Sequence, residues 1–263
     1  MRIRLRDFTM EYDEAGKGVP LIFIHGYPLN RSMWEPQLEA LSDIARVIAP
    51  DLRSHGGSEI VTGMNTMDIM AKDIKELIEI LDIKEQVILA GLSMGGYISF
   101  AFYRSYPELV KGMILAATRA TADHIDTKVK REESAAIAQE RGTEPIIEMQ
   151  LPKMLAPVTL EKKPELVERA KNSMSNISVQ AVVGDLRGML NRQDSAPILK
   201  NIECPVLILH GADDQLIPME EFDLMQNEIR NARSKIIPEA GHLLNLEQPE
   251  LFNEAVREFI SSL

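Results

Sequence analysis

The chain has 263 residues, 45% hydrophobic and 26% charged, an ordinary globular composition that excludes disordered, collagen-like and fibrous classes. Forty acidic against 29 basic side chains give a formal charge of −11, a field that opposes nucleic acid and anionic membrane surfaces. The single cysteine, Cys204, excludes an internal disulfide framework and fits a reducing compartment. The opening residues alternate charged and apolar side chains, so no signal peptide is read there. The apolar stretch 87–102 is interrupted by Gly91, Ser93, Gly95 and Gly96 and is not a membrane span. A cytoplasmic protein is expected.

In chain order, residues 2–11 alternate and read as an opening antiparallel hairpin or edge strand. Runs at 21–25, 87–90 and 206–210 are short, apolar and rich in β-branched residues, the pattern of buried strands. Residues 46–49, 113–116 and 235–237 are weaker members of that set. Residues 67–81 place apolar side chains at 67, 70, 74, 77, 78 and 81, one face of a helix with Thr66 as candidate N-cap. A second helix is expected over 93–106, ended by Pro107, and a third over 251–260, with Pro249 near its start. Strands followed by alternating β and α predict an α/β fold with a mostly parallel central sheet flanked by helices.

Residues 121–195 break that rhythm. They hold four helical patterns, near 124–141, 144–153, 163–173 and 178–190, and no convincing strand. A usual connection has roughly 2–6 residues. The segment therefore reads as a helical cap inserted into a core domain made of 1–120 and 196–263.

The chemistry centres on Gly91-Leu-Ser93-Met-Gly95. A buried strand runs into this G-x-S-x-G and a helix runs out, the context in which a serine hydroxyl is lifted above a sheet on a strained turn. A serine needs a base. Of the five histidines, His242 lies in a loop after the last expected strand, where it can reach the C-terminal sheet edge. The base needs an anion to orient it, and the turn after 206–210 offers two, Asp213 and Asp214. The alternative position, after 113–116, reads Ala117-Thr118-Arg119 and has no carboxylate.

These residues, together with His25-Gly-Tyr-Pro28, Asp51-Leu-Arg-Ser-His-Gly-Gly-Ser58, Pro218 and Gly241-His242, resemble the α/β-hydrolase superfamily over nearly the whole chain, and within it the bacterial carboxylesterase and enol-lactonase-like group. The resemblance implies a catalytic set of Ser93, Asp214 and His242, with Asp213 a turn residue. It also implies an oxyanion hole formed by the backbone amides of Tyr27 and Met94. The family usually has glycine where this chain has Ser54. A serine at position 93 excludes the haloalkane dehalogenase and epoxide hydrolase relatives, which use aspartate. The proline iminopeptidase loops are absent.

The expected function is a serine carboxylesterase acting on small, mostly uncharged esters, with no cofactor and no metal. Its expected partner is the ester itself, not nucleic acid or membrane, and a homodimer is left open. Cap residues such as Met149, Met154, Met174 and Met189 are candidates to line an apolar acyl pocket. Trp34 reads as core packing and Cys204 as inert. Rival readings are an enol-lactonase or carbon–carbon bond hydrolase with the same triad, and a small-molecule receptor or signalling protein on the same fold. A dianionic lactone would need a basic anchor near Ser93, Arg119 or Arg187.

Overall fold

The computed structural model describes residues 1–263. Eight strands form one sheet: β1 (Arg2–Arg4), β2 (Thr9–Ala15), β3 (Val19–Ile24), β4 (Ala45–Pro50), β5 (Val87–Leu92), β6 (Val110–Ala116), β7 (Val206–Gly211) and β8 (Ala232–Ile237). Their spatial order is β1-β2-β4-β3-β5-β6-β7-β8. β2 runs antiparallel to β1 and to β4, and every other pairing is parallel. The alternating N-terminal segment is thus the exposed hairpin edge, and the continuous apolar runs occupy the centre, buried on both faces.

Side chains of successive strand residues enter different cores, as a period of two requires. Ile22, Ile24, Leu89, Met113, Leu115 and Ile208 pack on one face with the helices α2 (Met67–Ile80) and α3 (Met94–Ser105). Leu21, Phe23, Ile88, Ala90, Ile114 and Leu209 pack on the other, with α1 (Glu35–Leu41) and, at the C-terminus, α11 (Pro249–Ile260). Thr66 caps α2 as its position suggests, its hydroxyl accepting from the Ile69 amide at 3.2 Å. Trp34 is buried in the second core, 4.5 Å from the Phe23 ring and 6.0 Å from Phe252.

Between β6 and β7 lie five helices where four patterns were expected: α4 (Ile125–Arg141), α5 (Glu144–Met154), α6 (Pro157–Lys162), α7 (Pro164–Ser175) and α8 (Val179–Leu190). The additional one, α6, has six residues, fewer than two turns, too short to show a helical period. After β7 come α9 (Met219–Glu228), absent from the sequence reading, and the one-turn α10 (Leu244–Glu247).

The topology positions the site. From β3 the chain steps outward to β4, then crosses back over β3 to β5, so consecutive connections leave β3 and β5 in opposite directions. The C-terminal ends of two such strands flank an open crevice, where ligands of open α/β sheets bind.

Candidate active site

At the C-terminal edge, Ile24 is level with Gly91, Gly91 with Leu115, Ala116 with Leu209, and Gly211 with Ile237. The loops that leave β3, β5, β6, β7 and β8 just past this row carry Tyr27, Ser93, Arg119, Asp214 and His242. Residues spread over more than two hundred positions are thereby gathered at one sheet edge.

Ser93 is the one residue between β5 and α3, with φ 55° and ψ −113°. A positive φ on a residue with a Cβ is strained, and its surroundings hold it in place. The Ser93 amide donates to the Ala116 carbonyl at 2.9 Å. The Ser93 carbonyl accepts from Thr118 Oγ1 at 2.7 Å. The two flanking glycines make the turn sterically feasible. A Cβ on Gly91 would sit 2.2 Å from the Gly95 carbonyl oxygen, and one on Gly95 would sit 2.1 Å from that of Ile24.

His242 Nδ1 lies 2.9 Å from Asp214 Oδ2, and both side chains are buried, 1% and 0% exposed. An ionised carboxylate only accepts, so Nδ1–H donates and Nε2 is left free to take a proton. Asp214 Oδ1 accepts from the amides of Leu216 at 2.8 Å and Ile217 at 3.1 Å. Burial by itself would raise the Asp214 carboxyl. The charge and hydrogen bond of His242, with the two amides, outweigh it and hold the group below the ordinary carboxylate range. Asp213 is exposed. The Ser93 hydroxyl makes no hydrogen bond within the chain, but Ser93 and His242 line the same cavity, of about 230 Å³. The Tyr27 amide has no acceptor in the chain, and Met94 opens α3, where first-turn amides lack a carbonyl partner inside the helix. A larger polar groove, about 790 Å³ around Arg31 and Arg169, touches neither Ser93 nor His242.

Residues 19–249 match the family model described as the alpha/beta hydrolase fold. The chain belongs to the α/β-hydrolase family. Among its relatives, a 3-oxoadipate enol-lactonase of Acinetobacter baylyi is 29% identical over 95% of this chain and 92% of its own length. An AB hydrolase superfamily protein of Bacillus subtilis is 31% identical over 97% and 96%. A solved thermophilic esterase from Thermogutta terrifontis, with malate bound, is 35% identical, covers 100% of this chain and 98% of its own, and superposes with a TM-score of 0.97.

Within this α/β-hydrolase the other histidines have separate duties. Buried His25 accepts from the Leu52 amide at Nε2, 3.0 Å, and burial, with His55 beside it, pushes its pKa well down. His55 pairs with Asp185 of α8 at 2.8 Å. His210 is buried against Phe222 and burial lowers its pKa. His124 is exposed and precedes α4. Cys204 is partly buried, and burial pushes its thiol up to about 12, consistent with an unreactive group. Ser54, at the family's glycine position, has φ 68°, the left-handed region that favours glycine; its hydroxyl compensates by accepting from the Val61 amide at 2.8 Å and donating to the Val61 carbonyl at 3.1 Å.

The expected methionine lining is not what surrounds Ser93, although Tyr27, Tyr97, Leu186, Leu216 and Ile217 leave the cavity mostly apolar. Only Met189 of the four methionines lines the cavity; Met154 and Met174 are buried in the second core, and Met149 is 39% exposed. Leu186, Leu216 and Ile217 share the wall with Thr127, Ser134 and Gln150, and with three cations, Arg119, Lys130 and Arg131. Arg187, the other candidate anchor, lies outside the cavity, facing Glu132 at 3.6 Å. Sequence reasoning missed Lys130 and Arg131, which nothing in their local pattern distinguishes from solvent-facing helix residues. It also missed Glu247, buried behind His242. Glu247 Oε1 accepts from the Gly241 amide at 2.7 Å, and Oε2 accepts from the Ala156 amide at 2.8 Å and from Thr159 Oγ1 at 2.7 Å.

Proposed function

We propose that this α/β-hydrolase is a serine carboxylic-ester hydrolase. The observation that carries the reading is the joint placement of Ser93 on a strained elbow and of an Asp214-bound His242 in the wall of the same cavity. In the proposed reaction Ser93 Oγ attacks the ester carbonyl while His242 Nε2 takes the hydroxyl proton. The carbonyl oxygen becomes an oxyanion and accepts hydrogen bonds from the Tyr27 and Met94 amides. The carbon–oxygen bond to the alcohol then breaks, and the proton held by His242 leaves with it. Water, giving a proton to His242, attacks the acyl-enzyme; the bond between the acyl carbon and Ser93 Oγ then breaks, His242 returns its proton to Oγ, and the acid leaves. Asp214 remains ionised throughout, fixing the tautomer and stabilising the imidazolium. The serine–histidine hydrogen bond forms with substrate in place, since such bonds are often loose in unliganded enzymes.

Opening a lactone follows the same steps, so an enol-lactonase reading shares this machinery and differs only in what the cavity holds. A relative named an esterase binds malate, a dicarboxylic acid, which supports a small polar acid as a fitting occupant. The test is hydrolysis of small 4-nitrophenyl esters together with labelling by a fluorophosphonate probe. The expected result is turnover, with Ser93 the one labelled serine. Turnover that persists in Ser93→Ala, with labelling elsewhere, overturns the reading.

A further inference from the structure

We infer that Thr118 is a positioning residue for the oxyanion hole: its hydroxyl holds the Ser93–Met94 peptide group, whose N–H is one of the two proposed donors. The inference rests on the serine-hydrolase reading and adds a residue to its machinery.

The Ser93 carbonyl and the Met94 amide belong to the same peptide group. That group is planar, so whatever fixes the direction of the carbonyl also fixes the direction of the N–H, which points the opposite way. Thr118 Oγ1 donates to the Ser93 carbonyl at 2.7 Å. The other donors to that oxygen, the Gly96 amide at 2.9 Å and the Tyr97 amide at 3.3 Å, belong to α3 and move with it. Thr118 comes from the segment after β6 and ties the peptide to the sheet instead. A hydrogen bond accepted at the carbonyl also polarises the group and makes its N–H a stronger donor.

The chain after β6 is shaped for this contact. Ala117 has φ 43°, in the left-handed region that a residue with a Cβ rarely adopts. Its amide donates to the Leu209 carbonyl at 2.9 Å, which holds the turn against β7. The turn brings the Ala116 carbonyl and the Thr118 hydroxyl to the same residue. Ser93 donates to the first through its amide and accepts from the second through its carbonyl. Three consecutive residues thus grip the elbow on both sides. The helix makes room for them: a Cβ on Gly96 would sit 2.4 Å from Thr118 Oγ1. Gly96 therefore has a role separate from those of Gly91 and Gly95, since its missing side chain admits the hydroxyl that reaches the elbow. Thr118 is 1% exposed, which shields the bond from solvent.

The experiment compares three variants. Thr118→Val and Thr118→Ala remove the hydroxyl, one keeping the volume and the other reducing it, while Thr118→Ser keeps the hydroxyl. Circular dichroism confirms that each is folded. Each is assayed on a small 4-nitrophenyl ester and against two inhibitors. Butyl trifluoromethyl ketone forms a serine adduct that carries an oxyanion; the alcohol obtained by reducing it fills the same space without one. Removing a whole oxyanion-hole donor costs about 10²–10³ in rate, so misaiming one is expected to lower kcat/KM by about ten- to a hundredfold in Thr118→Val and Thr118→Ala. Ketone affinity is expected to weaken by the same factor, with alcohol affinity unchanged. Thr118→Ser is expected to recover most of the loss. The fall of kcat/KM at acid pH should keep its midpoint throughout, because His242 and Asp214 are untouched. Native kcat/KM and native ketone affinity without the hydroxyl overturn the inference. So does an equal loss in Thr118→Ser, or a parallel loss of ketone and alcohol affinity, either of which would trace the effect to packing. Native protein that neither turns over the ester nor takes up fluorophosphonate at Ser93 overturns the hydrolase reading and the inference with it, whereas native turnover with unaltered variants removes the inference alone.

Discussion

Asp213 and Asp214 are adjacent in the chain and opposite in environment: the first is exposed, while the second has a fully buried side chain 2.9 Å from His242 Nδ1. Their substitution should separate them. Asp214→Asn replaces an obligate acceptor with an amide that can favour the wrong imidazole tautomer, and kcat should fall on the order of 10⁴-fold. Asp213→Asn should leave kcat within about twofold, in keeping with a surface substitution away from special features. Steady-state kinetics on a 4-nitrophenyl ester checks both, and the reverse ranking would reassign the acid.

In the proposed reaction Ser93 couples function to strain. Ser93→Ala should lower kcat by roughly 10³–10⁶, the scale seen when one member of a catalytic unit is removed. Ser93→Gly should be as inactive but more stable than Ser93→Ala. Glycine relieves a positive-φ strain of about 1–3 kcal/mol. It gives back roughly 0.5–1 kcal/mol in unfolded-chain entropy. The net gain of about 1 kcal/mol is measurable by urea denaturation. A glycine variant less stable than the alanine variant would show that the elbow is not strained in solution.

The elbow was legible in the sequence because strand, turn and helix are consecutive, and the Asp214–His242 pair because each follows a recognisable strand. The wall of the cavity was not. Arg119 could be named only as one of two candidate anchors, since whether an arginine meets a carboxylate depends on packing between distant segments. Asp123 proved to hold Arg131 and Arg192 and left Arg119 without one. The methionine expectation failed for the same reason: composition puts methionines in the inserted segment, but helix orientation turned Met154 and Met174 into the second core. α9 was missed because Met219–Glu228 is mostly polar, with only Glu221, Phe222 and Met225 buried, too few to mark a helical period.

Glu247 holds the loop that carries His242, accepting from the Gly241 amide next to it. Each of its oxygens accepts from a backbone amide, Gly241 on one side and Ala156 on the other. Glutamine cannot replace it, because either orientation turns an NH₂ group toward one of those N–H donors. Glu247→Gln should destabilise the fold by about 1–3 kcal/mol, the cost of an unsatisfied buried donor. With His242 less firmly held, kcat should fall while KM changes little. Urea denaturation and steady-state kinetics check the pair of effects; a variant of native stability and native kcat would mean that the loop holds itself.

His55 and Asp185 fasten the loop after β4 to α8, the two side chains 2.8 Å apart and both fully buried. His55 Nδ1 also lies 2.9 Å from the Arg53 carbonyl, so both ring nitrogens face acceptors, and the other Asp185 oxygen accepts from Asn65 Nδ2 at 2.8 Å. Burial by itself would lower the His55 pKa; the charge of the adjacent Asp185 carboxylate outweighs it and the pKa is raised. The sign follows. A histidine whose folded pKa exceeds its unfolded value of about 6.5 contributes stability that is complete below that pH and is lost as pH rises through the folded pKa. His25 and His210 act in the opposite sense, their lowered pKa values costing stability as pH falls, so the native profile mixes these contributions. The comparison with Asp185→Asn separates them. Removing one partner of a buried pair costs about 3–5 kcal/mol. That difference between native protein and Asp185→Asn should be larger at pH 6 than at pH 9, because the imidazole loses its proton as pH rises through the raised folded value. Urea denaturation at the two pH values measures it. An equal difference at both would mean that His55 keeps one charge state across that range in the folded protein.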